Sequence, residues 1–219
     1  MTGPLAGRRV LVTAGPTFED IDPVRFIGNR SSGKMGFALA AAAARHGADA
    51  LLVAGPVHLP TPAGVQRIDV RSAAQMREAV LAALPVDVYV GAAAVADWRP
   101  RAIAAHKMKK VAGVDTLTLE LVRTPDILAE IATHARRPAL VVGFAAETED
   151  VERYARGKLA AKRLDLIAAN RVGVEGAGFE SDDNQLTVYG GDGFARDLGP
   201  APKTDLADAL LDLIAERLT

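Results

Sequence analysis

The 219-residue chain contains no cysteine. That excludes disulfides, thiolate metal sites and a cysteine nucleophile, and it suits a cytoplasmic location. Charge of either sign is not in excess: 26 basic and 27 acidic residues leave a formal −1. There is accordingly no electrostatic case for nucleic acid or a membrane surface as partner. No charge-free apolar run approaches about 18 residues, so no bilayer span is expected. Met1 to Gly7 lacks the charged-then-apolar order of a signal peptide. The four histidines, His46, His58, His106 and His134, are scattered without ligand spacing, which argues against a zinc site. A Gly-x-Ser-x-Gly elbow is also missing, which argues against a serine hydrolase.

What is present is 49% hydrophobic and 24% charged, the balance of a globular protein. The length suits a single domain over residues 1–219 with a lid excursion at about residues 98–123. Short apolar runs alternate with helical patterns. Strands are expected at Val10 to Thr13, Ala50 to Val53, Val65 to Val70, Val86 to Val90, Ala139 to Phe144 and Asp165 to Ala169. Helices fit Gly33 to His46, Ser72 to Leu84, Asp126 to His134, Val151 to Leu164 and Asp205 to Leu218. Strands buried on both faces and interleaved with helices form a parallel sheet. The fold class is therefore α/β, a Rossmann-like, doubly wound and mainly parallel sheet. Two segments break the alternation. Leu117 to Val122 reads as a half-exposed strand after a lysine-rich loop, and Gln185 to Tyr189 with the turn Gly190 to Gly193 reads as a β-hairpin.

In such a sheet, ligands bind beyond the carboxyl ends of the strands. Attention falls on Ala14 to Thr17, Gly91 to Asp97, Gly143 to Thr148 and Asn170. The run Gly28-Asn29-Arg30-Ser31-Ser32-Gly33-Lys34-Met35-Gly36 has the glycine and lysine spacing of a P-loop. It fails at Met35, where a metal-binding hydroxyl should stand, and it does not follow its strand directly. Its donors Asn29, Ser31, Ser32 and Lys34 still open a helix where an anion can sit. A glycine-rich helix entry that binds nothing would share the pattern. Gly91 to Trp98 leaves the main chain open to a flat base, and Asp97 could hold a phosphate-bound metal; tight packing with a solvated aspartate is the plain alternative. Lys107, Lys109 and Lys110 suit a lid that neutralises a triphosphate, or a solvated face. Thr124-Pro125-Asp126 reads as helix cap, first residue and first-turn acid. Lys158 and Lys162 share a helix face and can grip phosphates, or simply flank a solvated helix. Tyr154 and Lys158 mimic the catalytic pair of short-chain reductases, but Ala14 to Ile21 offers only Gly15 where a glycine-rich turn is needed.

Seven runs in order resemble one family, the phosphopantothenate–cysteine ligases, also called phosphopantothenoylcysteine synthetases. They are Val12 to Thr17, Asn29 to Gly36, Ala93 to Pro100, Lys107 to Lys110, Pro125 to Leu128, Gly143 to Thr148 and Asp182 to Asn184. The resemblance, to the bacterial CTP-dependent type without its flavin decarboxylase domain, covers roughly Gly7 to Leu218. It implies that 4′-phosphopantothenate and L-cysteine are joined through an acyl-cytidylate, with CTP as co-substrate and Mg²⁺ or Mn²⁺ as metal, in a homodimer. By motif match, Asn29 and Lys107 are catalytic. Gly15, Ala92, Ala93, Ala94, Asp97, Pro125, Asp126, Ile127, Leu128, Phe144, Lys158 and Lys162 contact the nucleotide. Asn29, Ser31, Ser32, Gly33, Lys34, Ala93 and Ala94 hold the acid, and Asp97 the metal. An NAD(P)-linked reductase remains the alternative activity.

Overall fold

The computed structural model describes residues 2–110, 112–113, 115–171 and 181–218, so Val111 and Val114 of the expected lid lie outside the described residues. Six strands run parallel at the centre: β1 (Arg9–Ala14), β4 (Asp49–Ala54), β5 (Val65–Asp69), β6 (Val88–Gly91), β9 (Leu140–Glu147) and β10 (Leu166–Arg171). Two more, β11 (Asp183–Gly190) and β12 (Ala195–Pro202), add antiparallel at one edge. The spatial order is β12-β11-β10-β9-β6-β1-β4-β5. From β1 the chain first steps outward to β4 and β5, then crosses back to β6 on the other side. The strand order therefore reverses between β1 and β6, which opens a crevice at their carboxyl ends.

The apolar runs are continuous because each strand feeds two cores. Along β1, Val10, Val12 and Ala14 enter one core while Leu11 enters the other. Along β9, Leu140 and Val142 face the first, Val141 and Ala145 the second. This is the period of two expected when both faces are covered. The first core is closed by α1 (Lys34–Arg45) and α5 (Lys203–Leu218), the second by α2 (Ala73–Ala83), α3 (Ile127–Ala132) and α4 (Val151–Lys162). The alanine run of α1 lets it lie close: a Cβ on Gly36 would stand 2.4 Å from the Cβ of Ala14.

Several expectations shift. Of the half-exposed strand expected at Leu117 to Val122, only Leu121 and Val122 fall in β8 (Leu121–Arg123), paired antiparallel with β7 (Trp98–Pro100). The preceding residues meet no partner strand, and a strand exists only by pairing. The terminal helix begins at Lys203, not Asp205. The cap of α3 is Asp126, whose carboxylate accepts from the amide of Ala129 at 3.1 Å; Thr124 instead donates its hydroxyl to the carbonyl of Ala96. The reading of Thr124 as cap is thus displaced by two residues. No helix joins β4 to β5; residues 55–64 make that crossing as a loop.

A second hairpin, β2 (Phe18–Asp20) with β3 (Phe26–Gly28), was not legible in the sequence. Phe18 and Phe26 stack with centroids 3.8 Å apart, and Arg71 caps both rings. The buried Glu19 carboxylate accepts from the Ala73 amide at 2.8 Å, tying the hairpin to the start of α2.

Candidate active site

The crevice at the switch point holds a cavity of about 330 Å³. Its floor is Thr13, Tyr89 and Gly91 at the ends of β1 and β6. Tyr89 is buried beside the Thr13 hydroxyl, and burial pushes its phenol up to about 12, so it stays a neutral hydrogen-bonding group.

One wall is the loop after β6, and it is held from several sides. The Ala93 amide donates to the Thr13 hydroxyl at 3.4 Å, and the Ala94 amide to the Gly15 carbonyl at 2.9 Å. The Ala96 amide donates to Thr17 Oγ1 at 2.9 Å. Asn29 donates from Nδ2 to the carbonyls of Ala94 and Val95 at 3.0 and 3.3 Å. The main chain of Ala92 to Ala94 is thereby fixed against the cavity rather than left loose. Gly15 does not line the cavity; its left-handed backbone, φ 77°, turns the chain after β1 and its carbonyl anchors the wall. Asn29 likewise sits behind the wall, touching it through these two bonds.

A second wall is the entry of α1. Gly33 takes a left-handed conformation, φ 78°, and no side chain caps the helix. A helix N-terminus of this kind attracts an anion. Ser31, Ser32, Gly33, Lys34, Met35 and Gly36 all border the cavity. The Lys34 ammonium meets the Asp182 carboxylate at 2.7 Å, which holds that carboxyl below the usual range.

The third wall comes from α3, β9 and α4. Pro125, Asp126, Ile127, Leu128 and Phe144 border the cavity with Lys158 and Lys162. Gly143 brings these elements together, since a Cβ there would stand 2.7 Å from Leu164 and 2.9 Å from Leu128. Lys158 pairs with Glu147 at 2.6 Å and Lys162 with Asp126 at 2.8 Å. Such partly exposed pairs are weak, so a phosphate can displace either carboxylate.

Asn170, expected at a strand end, borders the cavity and donates to the side chain of Asn184, of the Asp182 to Asn184 run, at 3.2 Å; Lys203, which also borders it, was not singled out in the sequence. Lys203 follows Pro202 at the start of α5, and only the antiparallel return of β12 along β11 brings it to the cavity. The Asp182 to Asn184 run was the available signal, since it supplies the partner of Lys34.

Lys107 is exposed and does not line the cavity. Its neighbour Met108 is tied down: the Met108 amide donates to buried Asp22, and Arg25 donates to the Met108 carbonyl. Tyr154 also lies off the cavity, exposed beneath the Arg153 guanidinium at 4.3 Å. Lys158 borders the cavity while Tyr154 does not, so the two do not face it as a reductase pair would. Asp97 borders the cavity, and among the described residues no group of three acidic or histidine side chains could hold a metal alone. One carboxylate completed by phosphate oxygens and water is an arrangement Mg²⁺ favours, so Asp97 fits a phosphate-bound ion.

The family model for the DNA/pantothenate metabolism flavoprotein C-terminal domain matches residues 5–218. The coenzyme A biosynthesis bifunctional protein CoaBC of Vibrio cholerae is 54% identical over 215 residues, 98% of this chain and 54% of that protein. Its namesake in Bacillus subtilis is 51% identical over 216 residues, 98% of this chain and 52% of that protein. The chain thus spans about half the length of these relatives. The crystal structure of the C-terminal domain of a CoaBC protein superposes with a TM-score of 0.83 at 40% identity, covering 99% of this chain and 98% of that one. By sequence over nearly its whole length and by fold, the chain belongs to the DNA/pantothenate metabolism flavoprotein C-terminal domain family.

Proposed function

We propose that the chain is a phosphopantothenate–cysteine ligase of coenzyme A biosynthesis, using CTP. The observation that carries the reading is one cavity bordered both by the 31–36 helix entry and by Asp97, Phe144, Lys158 and Lys162. These groups lie far apart in sequence and have one joint use, to hold an acid and a nucleotide in contact. The CoaBC names of the relatives point the same way.

The carboxylate of 4′-phosphopantothenate attacks the α-phosphorus of CTP. The bond to the β-phosphate breaks, pyrophosphate leaves and the acyl-cytidylate remains. The amine of cysteine then adds to the acyl carbon, CMP departs and the amide forms, with the amine proton lost to solvent. A carboxylate oxygen is a poor leaving group, and cytidylylation cures this without a covalent enzyme intermediate, in keeping with a chain that lacks cysteine. The protein's share is positioning and positive charge. Pro125 to Leu128 and Phe144 take the base and ribose; Gly15 and Ala92 shape the wall beside them. Lys158 and Lys162 take the phosphates, exchanging Glu147 and Asp126 for them. When bound, Mg²⁺ or Mn²⁺ on Asp97 would offset phosphate charge. Ser31 to Lys34 with Ala93 and Ala94 hold the acid. Asn29 acts in the second half by turning one of its two loop bonds toward the acyl oxygen.

Lys107 acts as lid cation from a partner subunit in a cytoplasmic homodimer, with the excursion at 98–123 as the arm of a single ligase domain. Trp98, Ile103, Leu117 and Leu121 on this excursion, with Val24 and Phe26 of the β2–β3 hairpin, leave large apolar side chains exposed, as an interface needs. No helix of the described residues is long and apolar enough to cross a membrane.

The test is pyrophosphate release from CTP in the presence of 4′-phosphopantothenate, followed by amide formation when cysteine is added. Release that ignores the acid, or no release with any nucleoside triphosphate, would refute the reading.

A further inference from the structure

We propose, on the basis of the ligase reading, that Lys203 joins Lys34 to seat a phosphate group of a bound substrate. Lys203 is only 6% exposed, yet it borders the cavity and donates from Nζ to the carbonyl of Ser181. Burying an ammonium is costly, and one kept at a cavity wall is well placed to meet an anion. Burial makes Lys203 a weaker base than an ordinary lysine, and nearby Lys34 adds to this against Asp182 and Asp183. Two ammonium groups thus sit close enough to repel, on the same side of the sheet, at the starts of α1 and α5. The Asp182 side chain that meets Lys34 is 89% exposed, a solvent-screened carboxylate that a phosphate dianion can replace. Lys158 and Lys162 enter the cavity from α4, on the opposite face of the sheet. The cavity accordingly has two cationic ends. Both substrates carry phosphate, so the group seated at Lys34 and Lys203 comes from the phosphomonoester of the acid or from the nucleotide.

The full chain is titrated calorimetrically with inorganic phosphate and pyrophosphate, then separately with CTP and with 4′-phosphopantothenate. Lys203→Met keeps the aliphatic stem, Lys203→Arg keeps the charge, and Lys203→Gln keeps a donor for Ser181 should the Met variant fold poorly. Loss of one charged hydrogen bond weakens the inorganic anions by roughly 10- to 100-fold in the Met or Gln variant, with most affinity restored in Lys203→Arg. The substrate whose affinity falls in parallel, while the other holds, is the source of the phosphate. Unchanged affinity for both anions and both substrates in the Met and Gln variants overturns the proposal, as does failure of the unaltered protein to bind either anion. If the anion defect is found but no amide is ever made, the seat stands and the ligase reading falls.

Discussion

Asn29 carries two duties that its geometry sets against each other. In this state its Nδ2 is engaged by the carbonyls of Ala94 and Val95, so it braces the cavity wall before it can serve chemistry. Replacing it with Asp puts a carboxylate against two carbonyls and removes the donor. The expected outcome is a pyrophosphate burst of near-normal size with amide formation slowed by roughly 10²–10³, the loss typical of a missing donor to a developing oxyanion. Quenched-flow measurement of both products checks this; equal loss in the two halves would mean that bracing the wall is the residue's whole task. Asp22 works at the same scale. Burial alone would raise its carboxyl, but the amides of Val24, Met108 and Arg25 and the Arg25 guanidinium outweigh burial and hold it far below the usual range. An acid bound fewer protons when folded stabilises the fold above the ordinary carboxylate pKa and loses that contribution as the pH falls through the folded value. Asp22→Asn should therefore melt below the parent at neutral pH, and the gap should close in acid, as a thermal-melt series across pH would read.

At the scale of elements, close approach and capping set which strands and helices form the site. Gly36 allows α1 to lie on the end of β1, and a methyl there would collide with Ala14 at 2.4 Å. Gly36→Ala should cost about 1–3 kcal/mol by overpacking and tilt the helix entry away from the cavity. Its melting point should drop and CTP-independent binding of the acid should weaken together; a drop in stability alone would separate the helix entry from the acid site. The capping box of α2 lies off the cavity and offers the contrasting case. Ser72 accepts from Gln75 while the Gln75 side chain accepts from the Ser72 amide. Ser72→Ala should cost about 1 kcal/mol, a melting shift of roughly 2–4 °C, with turnover unchanged. The central strands and the five helices of the described residues were legible because hydrophobic period and stop signals are local. The β2–β3 hairpin was not, because its strands are too short to show a period and Glu19 anchors it to the start of α2, far off in sequence. Thr124 misled for a related reason: a threonine before Pro125 is a good cap in isolation, but tertiary contact gave its hydroxyl to Ala96 and left the cap to Asp126.

For the whole molecule, the proposed two-fold dimer with exchanged lids would cover the apolar side chains exposed on β3, β7 and β8 and bring Lys107, which stands off its own cavity, to a partner's. Mixing two inactive variants, Asn29→Asp and Lys107→Ala, then restores sites that draw Asn29 from one chain and Lys107 from the other. Random pairing makes about a quarter of the sites whole. Recovery of activity near that fraction supports exchange, and none at all places Lys107 in its own subunit's reaction. The sequence by itself determined the α/β class, the parallel strands and the two clusters at residues 29–36 and 93–97, because periodicity, glycine and capping act over a few residues. Only the tertiary structure decided which of these clusters share a cavity, that Lys203 joins them, and that Asn29 and Gly15 stand behind the wall. Such placements depend on the strand order that brings β1, β6, β9 and β10 side by side, and local physics carries no record of that order.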